Sequence, residues 1–136
     1  MARQFSDTVR NALANAYEST IGTAPTFEIR SGSPPANCAA ADTGTLLATG
    51  TLPSDWLGNA SGGSKALAGT WTITGGAGAG SGTTAGHFRI KASTTCHDQG
   101  TITVTGGGGD LTLVNTNIVN GQATTITSWS ITISGA

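Results

Sequence analysis

The chain has 136 residues, a formal net charge of −1 and only 10% charged residues, against roughly 25% in an average soluble domain. That length fits one domain, 1–136. With no basic excess there is nothing to drive direct nucleic-acid binding by charge. No apolar run approaches the ~18 residues of a membrane span, and the first residues lack the apolar block of a signal peptide, so the chain reads as an unprocessed intracellular product with no membrane partner.

In chain order, residues 3–21 read as an amphipathic helix. Phe5, Val9, Ala12, Leu13, Ala16, Tyr17 and Ile21 recur at helical spacing, and Gly22 and Pro25 stop it. This 1–22 segment either packs on a sheet or acts as an arm that docks on a partner. The β domain, 23–136, opens with Phe27 and Ile29 alternating against Glu28 and Arg30, a half-buried strand. Residues 31–43, with Pro34, Pro35 and an Ala run, read as a long loop. Residues 46–52 suit a strand. The following Pro/Gly/Asn loop carries Trp56 and Leu57, which either pin it to the core or anchor a partner.

Residues 65–74 alternate as one strand, with Leu67, Gly69, Trp71 and Ile73 on one face. Residues 75–86 hold almost only Gly, Ala, Ser and Thr and read as a flexible connection or a loop shaped by a neighbour. In 87–93 the alternation places Phe88, Ile90 and Ala92 inward and His87, Arg89 and Lys91 outward. A turn at 94–100 and a strand at 101–105 complete a hairpin. A break at 106–109 precedes a short strand at Leu111 and Leu113, then a turn with Ile118 tucked under it. The last strand, 124–134, changes parity between Ile126 and Trp129, which a β-bulge near Thr127 or Ser128 would reconcile. One helix and about seven short strands suit a mainly β fold, an antiparallel sandwich or small barrel, jelly-roll-like.

The core is short of large side chains: aromatic residues are 5% of the chain and 21 residues are Gly. Such a domain gains from association, in a symmetric oligomer or on a large partner. No cofactor, metal or catalytic constellation stands out. Cys96, His97 and Asp98 are nucleophilic-site residue types, but neighbours on an extended chain point to opposite sides and do not converge; they read as a turn. His87, His97, Cys38 and Cys96 lack metal-ligand spacing. Asp42, Asp55 and Asp110 read as turn formers. Cys38 and Cys96 allow one disulfide, but without a secretion signal two reduced, mostly buried thiols are expected. The Gly-rich runs lack the Lys-Ser/Thr ending and the helix of a phosphate loop.

The helical start, Phe27-Glu28-Ile29-Arg30 with its Ser-Gly-Ser-Pro-Pro loop, the segment Asp110-Leu111-Thr112-Leu113-Val114-Asn115-Thr116-Asn117-Ile118, Gly121-Gln122, and Trp129-Ser130-Ile131-Thr132-Ile133 together resemble small virion proteins of tailed bacteriophages. The nearest likeness is to head decoration, or cement, proteins. That resemblance implies a non-enzymatic, often homotrimeric β domain on the outer capsid surface, made in the host cytoplasm, which bridges major capsid protein subunits and stabilises their contacts. It carries over no catalytic residue. The alternative within the same likeness is a tail, baseplate or fibre-associated module. Phe5 and Val9 of the helix region, with Trp56 and Leu57 of the loop, are the candidate interface residues, being apolar side chains in otherwise small, polar segments.

Overall fold

A computed structural model describes residues 2–136. They form one helix, α1 (Asp7–Ile21), and eleven strands: β1 (Thr26–Arg30), β2 (Leu46–Thr51), β3 (Ser64–Ala66), β4 (Trp71–Gly75), β5 (Thr83–Thr84), β6 (His87–Ala92), β7 (Thr95–Val104), β8 (Leu111–Leu113), β9 (Asn117–Ile118), β10 (Ala123–Ile126) and β11 (Ser130–Thr132). Seven strands make one sheet in the order β10-β4-β2-β1-β6-β7-β8, and β11-β3 and β5-β9 are separate two-stranded pairs. The large sheet curls into a nearly closed barrel, so the fold is mainly β with one N-terminal helix, as the sequence pattern implies. All its pairings are antiparallel except β7 with β8, which is parallel.

The barrel closes over an aromatic cluster. Trp56, Trp71, Trp129 and Tyr17 lie with neighbouring ring centroids 5.4–6.2 Å apart. Phe27 joins through Trp71 and Phe88 through Phe27. The scarce aromatic side chains are thus spent on one interior, each pair adding about 0.5–1.5 kcal/mol beyond its buried area. The indole N–H groups are satisfied there: Trp56 Nε1 donates to the Gly22 carbonyl (3.0 Å), and Trp71 Nε1 to the carbonyls of Trp56 and Ala68. Trp56 and Leu57, 0% and 2% exposed, are core residues. This corrects their reading as interface residues, because the loop turns both side chains inward.

The helix begins later than its periodicity suggests, at the Ser6 cap, whose Oγ accepts from the Val9 N–H (3.3 Å). It is also rotated from the expected apolar face, of which only Tyr17 and Ile21 pack inward. Polar side chains fix it: Arg10 Nε donates to the Ile133 carbonyl (2.9 Å), Asn11 Oδ1 accepts from the Gly63 N–H (2.8 Å), and Lys65 Nζ donates to Asn15 Oδ1 and pairs with Glu18. Tyr17, Ala14 and Ile21 fill the space between these anchors. Directed bonds therefore decide the rotation, and Val9 and Leu13 face solvent.

The glycine runs are packed rather than loose. In 75–86 a 3-10 turn, Ala77–Ala79, and β5 form, with Ala79 and Ala85 buried. A Cβ on Gly75 would run into the Val119 carbonyl, one on Gly78 into that of Leu46, and one on Gly86 into that of Gly32. Glycine is required because backbone lies directly on backbone. In 106–109 the chain doubles back along β7, with Gly107 and Gly109 pressed against Thr103, and so lets β8 run parallel to β7.

Three strand readings change. The single strand expected over 65–74 is two, β3 and β4, in different sheets. The expected long last strand is also two: β10 pairs with β4 and β11 with β3. The chain changes sheet between them, and that change, not a β-bulge, accounts for the parity shift before Trp129. The expected turn at 94–100 is mostly strand, since β7 starts at Thr95.

Gly75→Ala is expected to destabilise the protein by about 1–3 kcal/mol, the usual cost of overpacking. Gly76→Ala, at φ −101° with only a distant carbonyl nearby, should stay within about 0.5 kcal/mol. Urea unfolding of the two neighbours distinguishes tight backbone packing from a flexible linker, which would tolerate both.

Candidate functional site

The strand expected to be polar on one side, β6, is buried on both. Phe88 and Ile90 face the aromatic interior, while His87, Arg89 and Lys91 (0%, 2% and 7% exposed) lie under the 31–45 loop. The alternation was correct but the outward face is not open to water. Asp42, on that loop, accepts from Lys91 Nζ (2.7 Å), from Arg30 Nη2 (2.9 Å) and from Arg89 Nη1. Glu28 takes Arg30 Nε at 2.9 Å and lies 3.0 Å from Lys91 Nζ. Arg89 Nη2 also donates to the carbonyls of Cys38 and Ala40. The hydrogen bond from Lys91, then that from Arg89 and the charge of Arg30, hold the Asp42 carboxyl below the usual carboxylate range despite some desolvation.

A disulfide joins Cys38 on this loop to Cys96 on β7. This corrects the expectation of two reduced thiols, which rested on compartment alone; the fold brings the 31–45 loop across β7 and so sets the two sulfurs side by side. His87 Nδ1 lies 2.9 Å from the Gly32 carbonyl, and Gln99 Nε2 donates to that of Pro35. Asp42, Arg89 and the disulfide fasten the loop to the sheet, Glu28 ties Arg30 to Lys91 beneath it, and Arg89 Nε and His87 Nε2 are buried without a partner.

Across the sheet Asp98 points into the interior side of β7. It accepts from Tyr17 Oη at 2.6 Å. Burial pushes the Asp98 carboxyl up, opposed by the Tyr17 bond and a backbone N–H and helped by the nearby Asp110. Burial and the Asp98 charge push the Tyr17 hydroxyl far above the usual phenol range. Asp110 accepts from the Thr101 N–H and hydroxyl (both 2.8 Å), which lower its pKa. Asp98 and Asp110 line a small cavity of about 200 Å³ with Phe88, Gln99, Trp129, Ser130 and Ile131. His97, on the opposite side from Cys96, is exposed beside the helix. Cys96, His97 and Asp98 therefore do not converge. Among the described residues no three His, Cys, Asp or Glu side chains gather to hold a metal ion, and no helix is long and apolar enough to cross a membrane.

Two exterior features remain. Just ahead of α1, Phe5 is 41% exposed, and on α1 Val9 and Leu13 are 45% and 47% exposed. Ala16 and Thr20 continue the ridge, and the charged Asp7, Arg10 and Glu18 lie on the other side of the helix. The second feature is a cleft of about 500 Å³ where the barrel fails to close, between β8 and β10. Neither cleft nor covered charge cluster was legible beforehand, because both depend on which segments meet. Compared with protein-family models, with curated proteins and with solved structures, the chain matches none.

Two outcomes follow for the braced interior. Reducing the disulfide, or replacing it by Cys38→Ser with Cys96→Ser, should lower stability by about 4 kcal/mol on the chain-entropy estimate for a bridge spanning 58 residues; denaturant titration with and without a dithiol measures it. Asp98 binds its proton more tightly folded than unfolded, so its contribution to stability falls as pH rises above the unfolded carboxyl value of about 3.9. Asp98→Asn, which keeps an acceptor for Tyr17, should therefore raise the melting temperature at pH 7, with the gain shrinking toward pH 3. A gain independent of pH would reject the assignment.

Proposed function

We propose that this protein is a non-enzymatic structural module that adds to the outer surface of a phage head and stabilises contacts between major capsid subunits, acting as a homotrimer. The observation that carries the reading is the uncharged ridge of Phe5, Val9 and Leu13, left in solvent although the chain has few large apolar side chains and buries most of them. An apolar ridge on a helix held rigidly by Arg10, Asn11, Asn15 and Glu18 is a preformed contact surface, which avoids the cost of ordering an arm on binding. The rest of the exterior is rich in hydroxyls and short of charge, and binds a neighbour with little desolvation penalty. Weak contacts repeated over a lattice then sum to firm attachment. In this proposal Phe5, Val9 and Leu13, all exposed, form the contact ridge.

Copy number tests the reading. Quantified against the major capsid protein in purified virions, a ratio near one or a fixed large fraction of it is expected; a few copies per particle would move the module to the tail, baseplate or fibre, and absence from virions would reject both. Val9→Asp with Leu13→Asp, both on the solvent side, should leave the melting temperature nearly unchanged and abolish trimer formation or particle binding. Retention of both activities would remove the ridge from the interface.

A further inference from the structure

The seam between β8 and β10 is chemically unusual for a sheet edge. Edge strands are normally blunted by charged side chains, prolines or bulges, because their free N–H and C=O groups pair readily with other chains. Here the sequence has no charged side chain and no proline after Asp110, so both edges are bare. The edges face each other across one cleft, lined from β8 and its flanks by Thr105, Thr112, Leu113 and Val114 and from the β10 side by Thr124 and Thr125, among other uncharged residues. Val114 stands there 93% exposed.

The backbone groups point the right way. Gly75 N–H donates to the Gln122 carbonyl, next to the Ala123–Thr74 pair, so bonding to β4 alternates through Thr124 and Ile126. Ala123 and Thr125 then turn their N–H and C=O toward the seam. On the other side, Thr105 N–H donates to the Leu113 carbonyl, which leaves the groups of Thr112 and Val114 facing outward. Thr124 Oγ1 is buried without a partner at the same place. A strand residue takes about 3.3 Å along the strand, 4.8 Å across it and 10 Å through the sheet, so the cleft holds roughly three residues. That matches edge strands of three and four residues. Followed across the sheet, the pairings leave β8 and β10 running in opposite directions. An added strand is thus parallel to one edge and antiparallel to the other.

We propose that this seam is a strand-acceptor site, where an uncharged, extended segment of another protein adds between β8 and β10 and completes the barrel. A segment from a second copy fits less well. The C-terminal stretch is tied down by Ile133 N–H to the Gly63 carbonyl and by Phe5 N–H to the Gly135 carbonyl, and Arg3, next to that tie, carries a charge the seam has nothing to match. Main-chain hydrogen bonds supply the affinity in this mode, and alternate side chains the choice of partner. The site is separate from the helix ridge and does not depend on where the protein is located.

The test uses the whole protein and a panel of capped, neutral heptapeptides in which Thr alternates with Val, Ile, Leu or Phe. At least one member should slow hydrogen exchange at the amides of Thr112, Val114, Ala123 and Thr125 by tenfold or more, leaving the exposed amides of α1 unchanged. The same peptide N-methylated at alternate residues should lose that protection, because it can no longer donate. Thr125→Pro, tolerated at an edge strand, should weaken binding at least tenfold with the remaining exchange pattern intact. If no peptide protects these amides, if the N-methylated peptide protects equally, or if protection grows with protein concentration in the absence of peptide, the proposal is overturned. The last result would assign the seam to a second copy.

Discussion

The cluster of tilted indoles formed by Trp56, Trp71 and Trp129 is what the rest of the molecule depends on. Each comes from a different stretch of chain, and they meet within about a ring's width of one another. Through Trp56 Nε1 the cluster also holds Gly22, at the end of the helix. Tyr17 extends it to α1, and Phe27 and Phe88 extend it into the centre of the sheet. A composition so poor in large side chains leaves no reserve. Truncating one indole to Ala would forfeit about 3–5 kcal/mol, a large share of the 5–15 kcal/mol typical of a whole domain.

On the other face of the central strands the chain solves the same problem with polar groups. The 31–45 loop covers His87, Arg89 and Lys91, and its own Asp42 answers three cations. Removing Asp42 from such a cover would leave the buried Arg89 and Lys91 charges under-paired. The disulfide shortens the excursions by which the loop could lift. The result is a domain with an apolar layer and an ionic layer on opposite sides of one sheet, while the surface presented to neighbours stays neutral.

Much of the local structure was readable from pattern. Alternation located β1 and the β6–β7 hairpin, and it placed Phe27, Ile29, Phe88 and Ile90 in the core. What alternation does not carry is which segment lies over which face. Arg89 and Lys91 obey the polar half of the pattern, yet a loop far away in sequence buries them. The apolar face of α1 is evident in the sequence, yet only its Tyr17 and Ile21 dock while Val9 and Leu13 stay in solvent, since Arg10, Asn11 and Asn15 bond to backbone and side chains that only tertiary structure supplies. Glycine was misread for a related reason. In 75–86 it marks contact between two backbones, and composition alone cannot separate that from freedom. The cleft between β8 and β10 was not legible at all, because it is defined by two strands that never touch.

The loop that doubles back over β7 also shapes the order in which the barrel assembles. It lets Ile102 find Leu111 and Thr103 find Thr112 at short sequence separation, and β6 reaches β7 through a tight turn. Closure entropy for these contacts is small, so β6, β7 and β8 form a low-contact-order unit that can nucleate early. At the opposite edge, Thr124 must find Ile73 across a long intervening chain. The barrel therefore has an early wall and a late wall, and its seam lies where the two meet. Chain that has completed β6 to β8 but not yet β10 exposes a wider gap than the finished protein does, and that stage of synthesis is when pairing with a wrong strand is most to be expected.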